Sequence, residues 1–164
     1  MFNVGDSVVM NGYGICKVLS IGHPQLRNAD PEKLYYTLSP SGDGGYVHVP
    51  VETESIRPVI SEAEARALIE SIPDRKVSAY KGRDRMLRYK STLKDGSLED
   101  LMLMVMEIYQ TDVSAKGKRG FAHDSAFREG EKRLNEELAL ALGVKAEDVH
   151  EIIADSVAHS RKKR

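Results

Sequence analysis

The chain has no tryptophan and a single cysteine, Cys16. One cysteine excludes an internal disulfide and cannot by itself build a zinc site. It lies in an apolar strand pattern and reads as a small buried hydrophobe, with a thiol sensor as the alternative. No apolar run approaches the roughly 20 residues of a membrane span. The N-terminus lacks a basic start followed by an apolar core, so no secretory signal is expected and a cytoplasmic protein is the default.

The marks of catalysis are also missing. No phosphate loop occurs, and no Gly-x-Gly-x-x-Gly opens a helix after a strand. Gly12 and Gly14 are one residue apart, but strand follows them, so they read as turn glycines. The histidines are His23, His48, His123, His150 and His159, and no two stand at i, i+4, so no metal site is expected. Asp124 and Ser125 beside His123 read as helix-start caps, not a triad. Glu129, Glu131, Glu136 and Glu137 share a stretch with Arg128, Lys132 and Arg133. That is the pattern of an exposed helix face, with Glu129–Arg133 as an attractive i, i+4 pair. The reading is no enzyme, no cofactor and no small-molecule substrate. A site assembled only in three dimensions is the remaining enzymatic alternative.

What is present is a chain of 164 residues, 41% hydrophobic and 30% charged, enough for one ordinary domain or two small ones. The first 58 residues read as β. Segments 7–10, 15–21, 34–38 and 46–49 are short runs rich in β-branched or aromatic residues, and a fifth is expected at 55–57. Turn formers separate them: Asn11-Gly12, the stretch 22–31, and Ser39-Pro40-Ser41-Gly42-Asp43-Gly44-Gly45. Strands this short favour a small, strongly bent barrel. Alternation in Tyr46-Val47-His48-Val49 puts Val47 and Val49 on one side and Tyr46 and His48 on the other. Pro50 ends that strand or marks an edge.

From Ser61 the period changes. Ser61 with Glu64 is a capping box, Ala65, Leu68, Ile69 and Ile72 recur at helical spacing, and Pro73 stops the helix. A second helix is expected at 83–94, ended by Asp95-Gly96. Ser97 caps a third, whose stripe is Leu98, Leu101, Met102, Val105, Ile108 and Tyr109, widened by Leu103, Met104 and Met106. Residues 111–120 read as a loop. Asp124 or Ser125 starts a long helix with Phe127, Leu134, Leu138 and Leu142 inward and Gly143 as its stop. A last helix is expected at 146–158. Strands first and helices after argue for an α+β chain of two segregated units, 1–58 and 59–164, not a parallel sheet.

The formal net charge of −1 conceals an uneven distribution. Arg75, Lys76, Lys81, Arg83, Arg85, Arg88, Lys90 and Lys94 face only Asp84 across 75–94, a net of +7 that leaves −8 for the remainder. Arg161-Lys162-Lys163-Arg164 is a second cluster. In the second helix Met86, Leu87 and Leu93 are expected inward and Arg85, Arg88 and Lys94 outward, with Tyr80 and Tyr89 between the cations. This suits a phosphate backbone with a groove or stacked base; a solvated face against the acidic remainder is the alternative. Seven phosphate contacts would give log K against log[salt] a slope near −6, and three or four about −3.

The order and spacing of several pieces resemble the CarD/CdnL family of bacterial transcription regulators. They are Gly5-Asp6-x-Val8-Val9, Gly14 and the strand into Ile21, then Tyr46-Val47-His48-Val49-Pro50 and Arg57. Arg85, Leu93-Lys94-Asp95-Gly96-Ser97, Glu131-Lys132-x-Leu134 and Glu137-Leu138-Ala139-Leu140-Ala141 follow. The resemblance implies a Tudor-like N-terminal domain joined to a compact helical domain. It implies that the barrel adds its edge strand to the β subunit of RNA polymerase, with Tyr46, His48 and Val49 on that strand and His48 in the place of a basic residue. It further implies that the helical domain meets promoter DNA, weakly and without sequence code, through Tyr80, Lys81, Arg83, Arg85, Arg88 and Lys90, stabilising the open complex. The protein would associate with the nucleoid through polymerase. The family's tryptophan before the second helix aligns near Gly82 here. Tyr80 replaces it, or phosphate contacts alone remain. The rival reading is a protein-only adaptor whose helices bind another protein. A fragment of a transcription-repair coupling factor would need a helicase motor that this sequence lacks.

Overall fold

The computed structural model describes residues 1–42, 44–76, 82–114 and 121–162. The chain divides into two units, Met1–Val59 and Ile60–Arg164. The first is β and the second helical, an α+β layout as expected.

The first unit is one antiparallel sheet. Its strands are β1 (Ser7–Met10), β2 (Gly14–Gly22), β3 (Tyr35–Pro40), β4 (Val47–Pro50) and β5 (Ile56–Pro58), in the order β4-β3-β2-β1-β5. The barrel is curled but open, because β4 and β5 lie at opposite ends of that order. β5 has only three residues and ends in a proline, which cannot donate to a further ladder. A register shift between Val18 and Ser20 bends β2. One face buries Val8, Met10, Cys16, Val18, Tyr36, Leu38 and Val49, with Val47 packed at their margin. Cys16 is fully buried among them. Period-2 alternation therefore selects the inner face, as the 46–49 pattern implied.

The β1–β2 turn depends on glycine. Met10 pairs with Gly14, the Tyr13 N–H donates to the Met10 carbonyl at 3.0 Å, and Gly12 and Gly14 both have φ of 82°. A side chain there carries the penalty of left-handed backbone, about 1–2 kcal/mol. Gly14→Ala should lower the unfolding free energy by that amount, read as a lower urea midpoint at unchanged slope.

The second unit holds α1 (Glu62–Ser71), α2 (Gly82–Asp95), α3 (Leu98–Ser114), α4 (Phe121–Leu142) and α5 (Val149–Lys162). The capping box is formed: the Glu64 N–H donates to Ser61 Oγ at 3.1 Å, and the Ser61 N–H to Glu64 Oε2 at 2.8 Å. Single-turn 3-10 helices follow α1 at Ile72–Asp74 and precede α5 at Ala146–Asp148. Ser97 opens α3 by accepting from the Asp100 N–H at 3.1 Å. Ala65, Ile69, Tyr89, Leu98, Met102, Ile108, Leu134, Leu138 and Val149 form the core.

Three expectations need correction. Residues 111–114 are helical, because α3 runs on to Ser114; 115–120 lie outside the described residues. α4 begins at Phe121, so Asp124 and Ser125 lie inside the helix and not at its start. Glu137 is not on an exposed face. It is 2% exposed, and its Oε1 accepts the Ile60 N–H at 3.3 Å. A backbone donor at the start of the unit thus accounts for a carboxylate that local charge pattern assigns to solvent. The expected Glu129–Arg133 pair is present at 2.7 Å, and Arg133 Nη1 also donates to the Leu93 carbonyl near the end of α2 at 2.6 Å.

Candidate interaction surfaces

Two surfaces carry the residues that the sequence singles out, one in each unit. In the sheet it is β4. Tyr35, Tyr36, Thr37 and Leu38 of β3 pair with Pro50, Val49, His48 and Val47. That ladder uses one edge of β4. The strand ends the sheet, and among the described residues no other strand pairs with its opposite edge. Unpaired main-chain donors and acceptors in a row are a template for another chain.

The side chains of this segment divide as alternation demands. Val49 points into the core and is 8% exposed, so it offers a partner its backbone only. His48 faces the other side, with Nδ1 3.1 Å from Thr37 Oγ1 of the neighbouring strand. That contact orients the ring and leaves Nε2 as its second polar atom. Tyr46 precedes β4 and is 67% exposed, a large aromatic with no place in the core. The structure thus brings His48 and Tyr46 to the open strand as side chains.

In the helical unit the surface is α2. Arg83, Leu87, Lys90 and Lys94 are all exposed and follow each other in steps of four, three and four, which makes one line along the helix. Arg88 is exposed beside that line. Met86, Tyr89 and Leu93 form the inward line. Three expectations change here, at Leu87, Tyr89 and Arg85, whose side chain, expected outward, is 18% exposed. Leu87 is exposed instead of packed, and Tyr89 is 2% exposed and belongs to the core, not among the outward cations. The reason is helical phase: Met86, Tyr89 and Leu93 stand at spacings of three and four on the face that meets the core, and Leu87 lies off it. Tyr80 and Lys81 lie outside the described residues.

Arg85 takes a different position from its basic neighbours. Two residues on from Arg83, it stands about half a turn away. Its Nε is 3.9 Å from Glu107 Oε1 of α3, and the two side chains are 18% and 10% exposed. Arg75 is likewise engaged, donating to Glu99. Between α2 and α3 a cleft of about 310 Å³ is lined by Lys76, Arg88, Tyr89, Asp100, Met104 and Glu107, among others. Burial pushes the Glu107 carboxyl above the usual carboxylate range, and Arg85 and then Arg88 pull it partly back. The Tyr89 phenol is pushed up to about 12, by burial first and by Glu107 next, against the pull of Arg85.

Glu107 escapes a sequence reading that follows apolar stripes. The available signal was a single carboxylate inside the otherwise apolar run from Leu101 to Ile108. Its sign of linkage is definite. The folded chain keeps this proton at pH values where the unfolded chain has released it. The associated stability is complete below the ordinary carboxyl value of 4.5 and is lost as pH rises through the raised value. Glu107→Gln cannot lose that proton, so the variant should gain on the parent as pH rises through that interval. Urea midpoints of both proteins measured from pH 4 to pH 8 read the difference.

Among the described residues no group of three or more His, Cys, Asp or Glu could hold a metal ion. No helix among them is long and apolar enough to cross a membrane. No curated protein matches the chain. The model of the CarD-like/TRCF RID domain family matches residues 2–60, which contain all five strands and both glycines of the first turn. Over residues 2–60, its first unit, the chain is therefore similar to the CarD-like/TRCF RID domain family.

Proposed function

We propose that the protein is a transcription regulator that holds the β subunit of bacterial RNA polymerase through β4 and stabilises the promoter open complex through its helical unit. The observation that carries the first half is the open edge of β4 inside a domain of a polymerase-interacting family. Strand addition supplies main-chain hydrogen bonds there, and Tyr46 and His48 give the contact its side-chain register. The second half rests on the exposed cations of α2. Arg83, Arg88 and Lys90 meet phosphates, with Lys81 and the ring of Tyr80 just before the helix in sequence adding a cation and a groove contact.

The mechanism is tethering. A few phosphate contacts bind weakly and lose affinity steeply with salt. Attachment to polymerase turns that weak encounter into an intramolecular one, so the same contacts act at a high effective concentration. A tenfold longer life for the melted complex needs about 1.4 kcal/mol, within reach of two or three contacts. The test is the half-life of open complexes formed by purified polymerase on a promoter fragment, with and without the protein. The reading expects a longer half-life with the protein and a smaller gain with Tyr80→Ala. An unchanged half-life, with polymerase still bound, favours a protein-only adaptor.

A further inference from the structure

We infer that Pro50 is a specificity-determining residue of the open edge of β4: it ends that edge after His48 and so keeps the β4 edges of two copies of this chain from pairing with each other. The inference rests on strand geometry and holds whether or not the edge serves RNA polymerase.

Hydrogen-bond phase decides which main-chain groups of β4 face the open edge. In an antiparallel ladder, opposite residues alternate between pairs that exchange hydrogen bonds and pairs whose N–H and C=O groups point away from each other. Just past β4, the Val51 N–H donates to the Leu34 carbonyl at 3.0 Å. Leu34 and Val51 continue the register in which Tyr35 faces Pro50, so they are a bonded pair. Tyr36–Val49 and Leu38–Val47 are then bonded as well, whereas Tyr35–Pro50 and Thr37–His48 are not. The contact of His48 Nδ1 with Thr37 Oγ1 at 3.1 Å agrees, because side chains stand closer in unbonded pairs. The main-chain groups of His48 and Pro50 therefore point to the open edge, and those of Val47 and Val49 serve β3.

At Pro50 that edge lacks its donor. Proline has no N–H, and its ring stands where the N–H would meet a partner carbonyl. The Pro50 carbonyl also accepts the Thr53 N–H at 3.0 Å, in the turn that leads the chain away. His48 is thus the residue of β4 that presents both a donor and an acceptor outward. An exposed edge is a template for a copy of itself. In two β4 edges laid antiparallel, His48 stands opposite either Pro50 of the other copy or its own counterpart. Both Pro50 donors are missing from the symmetric ladder in either register. A foreign strand loses that donor once, or not at all when it lies beside residues 46–48. Proline here therefore penalises a second copy more than a foreign strand, which is discrimination by a difference of affinities.

Restoring the donor tests this. In Pro50→Ala each edge regains an N–H. A net hydrogen bond changes an association constant about fivefold, so a symmetric pair should tighten about 25-fold. Sedimentation equilibrium of the full chain and of Pro50→Ala reads that shift, with circular dichroism confirming the fold. Hydrogen exchange in the associated variant should show the His48 amide protected and the Val47 and Val49 amides unchanged. Pro50→Val restores the same donor with a strand-favouring side chain; it should tighten association by a similar factor, and it carries the test where Pro50→Ala folds poorly. A folded variant that associates no more tightly than the parent, or association that leaves the His48 amide exchanging as in the monomer, overturns the inference. Failure of the polymerase reading shows differently, as no binding of the parent chain to polymerase, and leaves this comparison intact.

Discussion

Tyr46→Ala combined with His48→Glu should weaken binding to RNA polymerase about 30-fold or more while leaving the barrel folded. Both side chains point away from the core: Tyr46 is 67% exposed and His48 faces the side opposite Val49. Deleting an exposed tyrosine therefore removes interface without making a cavity. Tyrosine is among the residues that dominate interface energetics, and losing one at a buried contact costs about 2 kcal/mol, close to 30-fold. His48→Glu replaces a group that can carry positive charge by an anion and removes the ring from Thr37. Affinity for purified polymerase, with circular dichroism as the folding control, reads the outcome. Substituting Val49 is no substitute for this test, because at 8% exposure it acts through barrel stability.

Arg83→Glu combined with Lys90→Glu should abolish the effect on open-complex lifetime and lower duplex affinity about tenfold or more at low salt. Both residues are exposed on the same line of α2, so the pair removes two cations and adds two anions to one surface. Losing two phosphate contacts makes the salt slope shallower by about 1.8, and repulsion by the new carboxylates adds to the loss. Neither residue packs against the core, so thermal stability should stay within about 0.5 kcal/mol of the parent, as surface substitutions usually do. Binding to polymerase should be unaffected. That separation distinguishes this variant from the Tyr46 and His48 pair.

The fold was legible where local chemistry and long-range packing agree. The strands are short, β-branched and bounded by glycine, and each was found within a residue or two of its expected limits. Ser61 and Glu64 announce α1 by themselves, since a capping box satisfies two backbone donors within four residues. The surfaces were less legible, because which side of a helix faces the core is a tertiary property. In α2 the apolar residues Met86, Leu87, Tyr89 and Leu93 permit more than one inward phase, and packing chose Met86, Tyr89 and Leu93. Tyr89 among cations resembles a stacking platform until its burial is known. Glu107 and Glu137 mislead in the same way. Each is a carboxylate whose partner lies elsewhere in the chain: Arg85 for the first and the Ile60 N–H for the second. No local periodicity encodes those pairings. Pro50 reads as ending the strand or marking an edge, but that β4 ends the sheet is a matter of strand order, which only the assembled topology shows.

Hydrogen exchange at the amides of Val47, His48 and Val49, measured for the protein alone and bound to RNA polymerase, addresses strand addition most directly. If β4 receives a strand of the polymerase β subunit, the outward N–H groups of this segment become strongly protected in the complex while β5 amides exchange as before. A complex that forms with the β4 amides no more protected than in the free protein contradicts the account.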